Sequence, residues 1–322
     1  MNGINNSNSL VSVIIPCFNG EAFIVEAIQS VINQSCENWE LIVVDDNSGD
    51  GSKAIVKRYV NDRIRLIEQE YNHGIPKTKN VGISVAKGAY ITFLDQDDLW
   101  LPTKLTSQIE QFEMSSARDV GIVCTGMLSV DESKTKIKLF KGFNDSKQEN
   151  LIKSLYLTPI NSSSIMMIKR KSLNKAGLFD EQLVGWDDYE LLMRVATHYD
   201  IRYVRKPLTV KRIHHDNMQN SPAVTAEYKK VFEHIVTLHP FLAKYKHMRD
   251  SMDYCNEAMH LLKENNTVIA RQVFKKSIKT NPFYLEAILL YMLSFLPGRL
   301  PLLLKDMKRR TVSFMLKLKV YE

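Results

Sequence analysis

The stretch YITFLDQDDLW (Tyr90–Trp100) joins an apolar run to a cluster of carboxylates. Its first five residues have the composition of a buried strand, and Asp95, Asp97 and Asp98 then follow within four positions. Burying an unpaired carboxylate is costly, because the charge loses its hydration. The stretch therefore predicts a strand that leaves the core and delivers three acids to a polar edge of the fold.

Apolar runs and helical patterns alternate on the N-terminal side of this stretch. The predicted strands are VSVIIPCF (11–18), WELIVVDD (39–46) and 64–67, and the predicted helices lie at 21–33, after NSGDGS (47–52) and at 77–86. This βαβαβαβ order predicts an α/β fold, with a mainly parallel, Rossmann-like sheet flanked by helices on both faces. Ligands of such sheets bind at the carboxyl ends of the strands. We therefore expect Asp45 and Asp46, at the end of one strand, to share a crevice with the Asp95 cluster.

The chain from Ser221 onward has an all-α pattern. Within it, NNTVIARQVFKKSIKTNPFYLEAILLYMLS (265–294) resembles one tetratricopeptide unit, with Ala270, Phe274 and Ile278 four residues apart. A single unit cannot stack into a solenoid. A helical hairpin that caps the rest of the chain is the simpler interpretation.

The net charge of +7 is concentrated at the C-terminal end, where residues 241–322 hold 15 Lys and Arg against 7 Asp and Glu. The basic segment KDMKRRTVSFMLKLKVYE (305–322) has an amphipathic pattern, which favours peripheral contact with an anionic membrane. An ordinary terminal helix is the alternative. No nucleic-acid motif accompanies the charge, and no nucleic-acid partner is expected.

The location that the sequence favours is the cytoplasm, at most peripheral on the inner face of the membrane. The four cysteines are far apart, so neither a disulfide framework nor a zinc site is indicated. The N-terminal residues lack the charge and the long apolar core of a signal peptide. The longest apolar segment, 283–304, is interrupted by Glu286, Pro297, Gly298 and Arg299, which argues against a membrane-spanning helix.

An Asp-x-Asp segment after a strand suits a hard divalent cation, because Mg²⁺ and Mn²⁺ prefer carboxylate oxygens and bridge phosphates. A helix N-cap is the alternative for the same acids, with Asp98 favouring the first turn of the next helix. Spacing alone leaves the two interpretations open. The companion pair Asp45 and Asp46 favours the metal.

Five motifs resemble, in order, those of glycosyltransferase family 2, the inverting GT-A-type enzymes that take sugars from nucleotide diphosphates. They are VSVIIPCFNGEAFIVEAIQSVINQS, WELIVVDDNSGDGS, NHGIPKTKNVGI, GAYITFLDQDDLW and FDEQLVGWDDYELLMRV, spread over about residues 10–215. The resemblance implies a GT-A catalytic domain at 10–218. The sequence on either side of it is expected to form a disordered N-terminus at 1–9 and a helical region at 219–322. The resemblance also implies a nucleotide-sugar donor.

The resemblance further implies that Pro16 and Phe18 contact the nucleotide, with the Phe18 ring stacked on the base. A plain buried strand aromatic is the alternative for Phe18. Glu21 is expected to reach the nucleotide, or to complement the dipole of the next helix. Asp46 would accept a hydrogen bond from the uracil ring, and Asp45 would brace the turn.

By the same resemblance, a Mn²⁺ or Mg²⁺ ion would be held by Asp97. Asp95 would lie toward the ribose or a metal-bound water, and Asp98 would support them. The segment VKRIHHDNMQNS (210–221) resembles the Arg-x-His segment of the family, in which a His completes the metal sphere or contacts the diphosphate. His214 fits this position best, and the adjacent His215 stays open.

The family pattern N-x-G-x-x-x-A-R-N-x-G appears as NHGIPKTKNVG (72–82), so Thr78 replaces Ala and Lys79 replaces Arg. Lys79 keeps a positive charge for the diphosphate but lacks the bidentate fork of Arg. GWDDYEL matches the acid pair of the family, which implies that Asp188 is the catalytic base and Asp187 its supporting neighbour. Helix capping is the alternative for both acids.

These motifs predict a metal-dependent, inverting transfer of a sugar from a nucleotide diphosphate, a UDP-sugar for preference, to a hydroxyl of a glycan or lipid-linked acceptor in surface polysaccharide synthesis. Two alternatives belong to other classes. A nucleotidyltransferase would carry a Gly-rich, basic phosphate loop after the first strand, whereas PCFNGEAF has one Gly and no basic residue. A noncatalytic helical scaffold would leave the acidic positions dispensable.

Overall fold

The computed structural model describes residues 9–114, 118–131, 136–143, 147–160, 162–214 and 222–296. The strands are β1 (Val11–Cys17), β2 (Trp39–Asp45), β3 (Ile64–Glu68), β4 (Tyr90–Phe93), β5 (Leu99–Trp100), β6 (Val120–Asp131), β7 (Lys136–Phe140), β8 (Met166–Lys169) and β9 (Asp200–Ile213). The helices are α1 (Ile24–Ile32), α2 (Ser52–Lys57), α3 (Ile75–Val85), α4 (Lys104–Glu113), α5 (Gln148–Leu157), α6 (Arg170–Ala176), α7 (Asp187–Ala196), α8 (Pro222–Leu238), α9 (Lys246–Lys263), α10 (Thr267–Thr280) and α11 (Leu285–Leu293). The α/β fold class with helices at the C-terminal end is confirmed.

The strands form one sheet in the order β3-β2-β1-β4-β8-β6-β9-β5, with β7 paired to β6. The first four strands along the chain are mutually parallel, as the βαβ pattern predicts. Beyond β4 the sheet is mixed, because β8 runs antiparallel to both β4 and β6 while β9 runs parallel to β6. The carboxyl ends of β1, β2 and β4 therefore meet at one edge.

Both faces of the parallel part are buried, and successive side chains of β1 point to opposite faces. Val11, Val13 and Ile15 belong to the core cluster that includes the apolar side chains of α1. On the other face, α3 approaches β1 closely at Gly82, where an added Cβ would come within 2.5 Å of the Ile14 side chain. A helix on each face and a continuous apolar strand between them explain why WELIVVD and VSVIIPC are buried throughout.

The chain divides into two compact units, Met1–Ile152 with Pro159–Leu238, and Lys153–Thr158 with His239–Glu322. Helix α8 thus belongs to the first unit, whereas the sequence analysis placed the boundary at 218/219. Helices α10 and α11 form the predicted hairpin, and they pack with α9 around Cys255, Ala258, Phe274 and Leu290. The predicted disordered N-terminus, His215 and the basic segment 305–322 lie outside the described residues, apart from position 9.

Candidate active site

A cavity of about 810 Å³ opens where β1, β2 and β4 end. Nine of the twelve residues predicted for the site line it: Pro16, Phe18, Asp46, Lys79, Asp95, Asp97, Asp187, Asp188 and His214. Parallel pairing explains part of this convergence, since Cys17 lies beside Asp45 in the register of β1 and β2. Glu21, Asp45 and Asp98 are not among the lining residues.

The Asp46 carboxylate is held by three N–H donors. Its Oδ1 accepts from the side chain of Gln69 and from the backbone N–H of His73, both at 2.8 Å, and its Oδ2 accepts from the N–H of Gly74 at 2.8 Å. Gly74 has a φ of 87°, a backbone conformation that favours glycine. Asp45 instead accepts from the backbone N–H of Ser48 at 3.0 Å and holds the turn after β2. Of the two acids, Asp46 faces the cavity.

Gln96 anchors the Phe18 backbone and is a site residue that sequence reasoning missed. Its Oε1 accepts from the Phe18 N–H at 2.9 Å, and its Nε2 donates to the Phe18 carbonyl at 3.0 Å. The approach depends on Gly20, because a Cβ there would lie 2.3 Å from Gln96 Oε1. The Phe18 side chain lines the cavity and is 44% exposed, so its face is open to a ligand.

The contacts of Glu21 differ from the prediction. Its Oε2 accepts from the backbone N–H of Gly51 at 2.8 Å, and its own N–H donates to Asp50 at 3.0 Å. Glu21 therefore ties two surface loops together outside the cavity lining, and the predicted nucleotide contact has no support in the geometry.

The three aspartates that follow β4 have different neighbours. Asp97 Oδ2 lies 2.8 Å from His214 Nε2, and the His214 ring stacks on Phe23 with centroids 5.0 Å apart. Asp95 accepts from the Ser163 hydroxyl at 2.9 Å. Asp98 is buried behind the cavity lining and accepts from the Arg212 N–H at 3.3 Å. Burial, together with the charges of the neighbouring aspartates, raises the pKa of Asp97 and holds the pKa of Asp98 well above its usual range.

Asp97 and His214 are the residues that could hold a divalent cation. Within the part of the chain that the structure describes, no group of three or more His, Cys, Asp or Glu side chains is arranged to hold a metal. A Mg²⁺-type site in nucleotide enzymes typically takes one or two carboxylates from the protein and further oxygens from phosphates and water. The pair fits this two-ligand kind of site. Burial and, after it, the charge of Asp95 raise the pKa of Asp97, and a bound cation would offset both effects.

Asp187 and Asp188 begin α7, where both are buried. Lys79 Nζ lies 2.9 Å from Asp187 Oδ2, and both side chains are at most 5% exposed. Lys79 is predicted to contact the diphosphate, but its observed partner is this carboxylate. Burial and the charge of Asp187 raise the pKa of Asp188 to about 7, against the lowering effect of Lys79. A carboxyl group with that pKa can exchange a proton near neutral pH.

Lys211 of β9 is a second cation of the cavity that the sequence analysis did not single out. Burial lowers the pKa of Lys211, but the charges of Asp98, Asp95 and Asp188 outweigh that effect and raise it. The residue stands three positions before the predicted ligand His214, within the segment VKRIHH. The sequence places Lys211 in a strand but does not indicate that the acids of the cavity would lie near its side chain.

Comparisons with known proteins identify the class of protein that this fold and cavity define. The chain matches the model of glycosyl transferase family 2 over residues 12–177. It is 32% identical over 219 residues to an uncharacterised glycosyltransferase of Rickettsia typhi, covering 67% of this chain and 68% of that protein. The chain therefore belongs to glycosyltransferase family 2 and is a glycosyltransferase, rather than a nucleotidyltransferase or a noncatalytic scaffold.

Two further relatives have more specific names. The UDP-Glc:alpha-D-GlcNAc-diphosphoundecaprenol beta-1,3-glucosyltransferase WfgD of Escherichia coli is 42% identical over 100 residues, which are 31% of this chain and 40% of WfgD. The putative teichuronic acid biosynthesis glycosyltransferase TuaG of Bacillus subtilis is 39% identical over 109 residues, 33% of this chain and 43% of TuaG. The aligned segment thus spans less than half the length of either relative.

Solved structures share the fold. S. aureus TarS in complex with UDP-GlcNAc superimposes with a TM-score of 0.61 at 21% identity, covering 74% of this chain and 70% of that chain. The mannosyltransferase of Pyrobaculum calidifontis in complex with GDP-Man and Mn²⁺ gives 0.55 at 18% identity, covering 88% and 85%. At these identities the likeness shows the GT-A fold alone.

Proposed function

We propose that this glycosyltransferase moves a sugar, with inversion, from a UDP-sugar to a hydroxyl of a glycan or lipid-linked acceptor in surface polysaccharide synthesis. The observation that carries the proposal is the cavity itself, which brings residues from all five motifs to one place. The names of the relatives point the same way, since WfgD is named for a UDP-glucose donor and a diphospholipid-linked acceptor and TuaG for teichuronic acid.

The nucleoside would lie between Phe18 and Asp46. Stacking of a base on an aromatic ring contributes about 1–3 kcal/mol, and the exposed face of Phe18 is available for it. A carboxylate oxygen can accept two hydrogen bonds, and Asp46 Oδ2 has one protein donor where Oδ1 has two. This leaves capacity at Oδ2 for a ring N–H such as that of uracil.

The diphosphate would lie near Asp97, His214 and Lys211. Asp97 and His214 would hold a Mn²⁺ or Mg²⁺ ion, which supplies Lewis-acid stabilisation of the departing diphosphate when bound. Lys211 adds a fixed positive charge on the same cavity wall. Asp95, positioned by Ser163, is left to orient the ribose or a bound water.

Asp188 is the proposed catalytic base. Its carboxylate would take the proton of the acceptor hydroxyl while the hydroxyl oxygen forms a bond to the anomeric carbon and the bond from that carbon to the diphosphate oxygen breaks. The backbone N–H of Tyr189 donates to Asp188 Oδ1 at 2.7 Å and fixes the carboxylate at the start of α7. The buried pair of Lys79 and Asp187 limits the net negative charge around it.

Thermal unfolding of the purified chain with a panel of nucleotide sugars tests the donor proposal, because ligands that bind the folded state raise its apparent stability. We expect UDP-sugars with Mn²⁺ to raise the unfolding temperature more than UDP-sugars with a chelator. The variant Asp97→Ala should lose the manganese-dependent rise in unfolding temperature, whereas the control Asp62→Ala, which removes an exposed acid, should keep it. An unchanged unfolding temperature with every nucleotide sugar would contradict the proposal.

A peripheral membrane contact is also proposed for the C-terminal helices. In α11 and just after it, Leu285, Leu289, Met292 and Phe295 are each more than half exposed and lie near one helical face. Residues 267–296 hold four basic residues and one acid, so the surroundings of this face attract anionic lipid. Among the described residues, no helix is long and apolar enough to span a membrane.

Sedimentation with anionic vesicles checks this contact. We expect the triple variant Leu285→Ser, Leu289→Ser, Met292→Ser and the deletion of 305–322 each to reduce the fraction that pellets. A matched triple variant of exposed apolar residues of the first unit, Val60→Ser, Tyr71→Ser, Met114→Ser, should pellet like the wild type. Wild-type pelleting of both C-terminal variants would exclude the idea.

A further inference from the structure

We propose that Gln69 and Thr78 set the nucleobase selectivity of this site, by fixing the Asp46 carboxylate through a two-step hydrogen-bond relay. The inference rests on the proposed binding of a nucleotide donor beside Asp46. Thr78 stands where the family pattern has Ala, which has no hydroxyl, so the relay belongs to this chain's own sequence and not to the shared motif.

The direction of each hydrogen bond in the relay follows from the available hydrogens. The Thr78 hydroxyl donates to the Gly74 carbonyl at 2.9 Å, so its oxygen can only accept from Gln69. Gln69 Nε2 lies 2.9 Å from that oxygen and 2.8 Å from Asp46 Oδ1. A side-chain amide nitrogen carries two hydrogens. One goes to Thr78, and the other is thereby aimed at Asp46.

The relay is anchored at its ends. The Gln69 backbone N–H donates to the Asp45 carbonyl at 2.9 Å, which fixes the residue beside the end of β2. Thr78 is 1% exposed and Asp46 is 4% exposed, so water competes little for these bonds. Gln69 itself does not line the cavity, whereas Asp46 and Thr78 do. Gln69 can therefore influence a bound base only through its neighbours.

The chemical consequence is a preference for bases that donate. With Gln69 and the N–H groups of His73 and Gly74 all donating to it, Asp46 is held as a hydrogen-bond acceptor facing the cavity. Uracil presents a ring N–H at N3, whereas cytosine presents a lone pair at the same position. A carboxylate held in a fixed orientation accepts the N3–H of uracil and repels the N3 lone pair of cytosine. Without the relay, Asp46 keeps its two backbone donors but loses the third, so the carboxylate is held less firmly and the discrimination weakens.

The test compares UDP and CDP binding by titration calorimetry. Thr78→Ser keeps the hydroxyl and should retain the wild-type ratio of the two affinities. Thr78→Ala removes the acceptor that orients the Gln69 amide, so it should weaken UDP binding about tenfold, the upper size of a lost buried hydrogen bond between neutral groups, and reduce the UDP-to-CDP ratio correspondingly. Gln69→Met, which keeps the length of the side chain but removes its donors, should give the same fall. Binding of inorganic pyrophosphate with Mn²⁺ should stay unchanged in all three.

Three results would count against the relay or against its premise. A wild-type ratio in both Thr78→Ala and Gln69→Met, with cooperative thermal unfolding intact, overturns the relay. A parallel loss of UDP, CDP and pyrophosphate binding also overturns it, since that pattern marks general damage to the cavity. If the wild-type chain binds neither nucleotide, the proposed donor site itself fails, and the relay with it.

Discussion

Two groups of acids line the same cavity under different electrostatic conditions. Asp46 receives hydrogen bonds from three neutral N–H donors of the loop and side chains around it. Asp97 and Asp188 lie among other carboxylates, and burial and like charges raise the pKa of each. Neutral donors fix the geometry of a site without adding charge, whereas carboxylates that lie close together are stabilised by bound cations or by protonation. The first group suits recognition of a base, and the second suits chemistry at a diphosphate and a hydroxyl.

The largest effect is expected for Asp188→Asn, which keeps the shape of the side chain but removes the base. Transfer should fall about 10²- to 10⁴-fold, the usual contribution of a positioned general base. Donor affinity, measured by calorimetry, should change little. The matched variant Asp46→Asn should show the opposite pattern, with weaker donor binding and nearly normal turnover at saturation. If Asp188→Asn reduced affinity and turnover equally, the separation of the two groups would be wrong.

The pH dependence of transfer sharpens the same contrast. The pKa of Asp188 is raised to about 7 by burial and Asp187, with Asp95 acting in the same sense and Lys79 and Lys211 in the opposite one. A base must be deprotonated, so log kcat/KM, which reports the free enzyme, should fall about one unit per pH unit below this pKa and level off above it. Asp187→Asn removes a negative neighbour and should move the inflection to lower pH. Asp46→Asn should leave the inflection in place, and a flat profile from pH 5 to 8 would contradict the assigned base.

The smallest effect on donor binding is expected from disturbing the hydrogen bonds between Gln96 and the Phe18 backbone. Gly20→Ala places a Cβ against Gln96 Oε1, and the flexible Gln96 side chain must move away from the Phe18 backbone. Donor affinity should weaken about two- to tenfold, no more than the full stacking contribution of ~1–3 kcal/mol. Gly49→Ala is the matched control, since its nearest neighbouring atom would lie 3.9 Å away. Equal donor affinity in the two variants would show that the Gln96 contact does not position Phe18.

The strand ends could be predicted from the sequence because alternating apolar runs and helical patterns fix a parallel sheet, and a parallel sheet places its carboxyl ends together. The two acidic clusters are therefore located from local pattern, whereas the choice of Asp46 and Asp97 within them rests on the resemblance to the family. The hydrogen-bond and ion-pair partners of the individual side chains could not be predicted. Lys79 pairs with Asp187 across 108 positions of the chain, a contact set by how α3 and α7 pack. The partner of Glu21 could not be predicted either, because the contact is made by the backbone N–H of Gly51, which leaves no signal in the sequence.

Residues that act through others were the hardest to identify. Gln96 looks like a spacer between Asp95 and Asp97, since an amide gives no sign of which backbone it will bond. Gln69 follows a strand without any motif around it, and its relay to Asp46 depends on the orientation of the Thr78 hydroxyl. The mixed half of the sheet was equally hard, because antiparallel β8 comes from a distant segment inserted between β4 and β6.

The most direct measurement is titration calorimetry of the full chain with uridine and with UDP, each with Mn²⁺ and with a chelator. If Asp46 and Phe18 hold the nucleoside while Asp97 and His214 hold the ion against the diphosphate, Mn²⁺ should strengthen UDP binding at least about tenfold, as a few kcal/mol of metal–phosphate stabilisation implies, and leave uridine binding unchanged. Equal effects of Mn²⁺ on both ligands, or no detectable binding of UDP, would contradict the account.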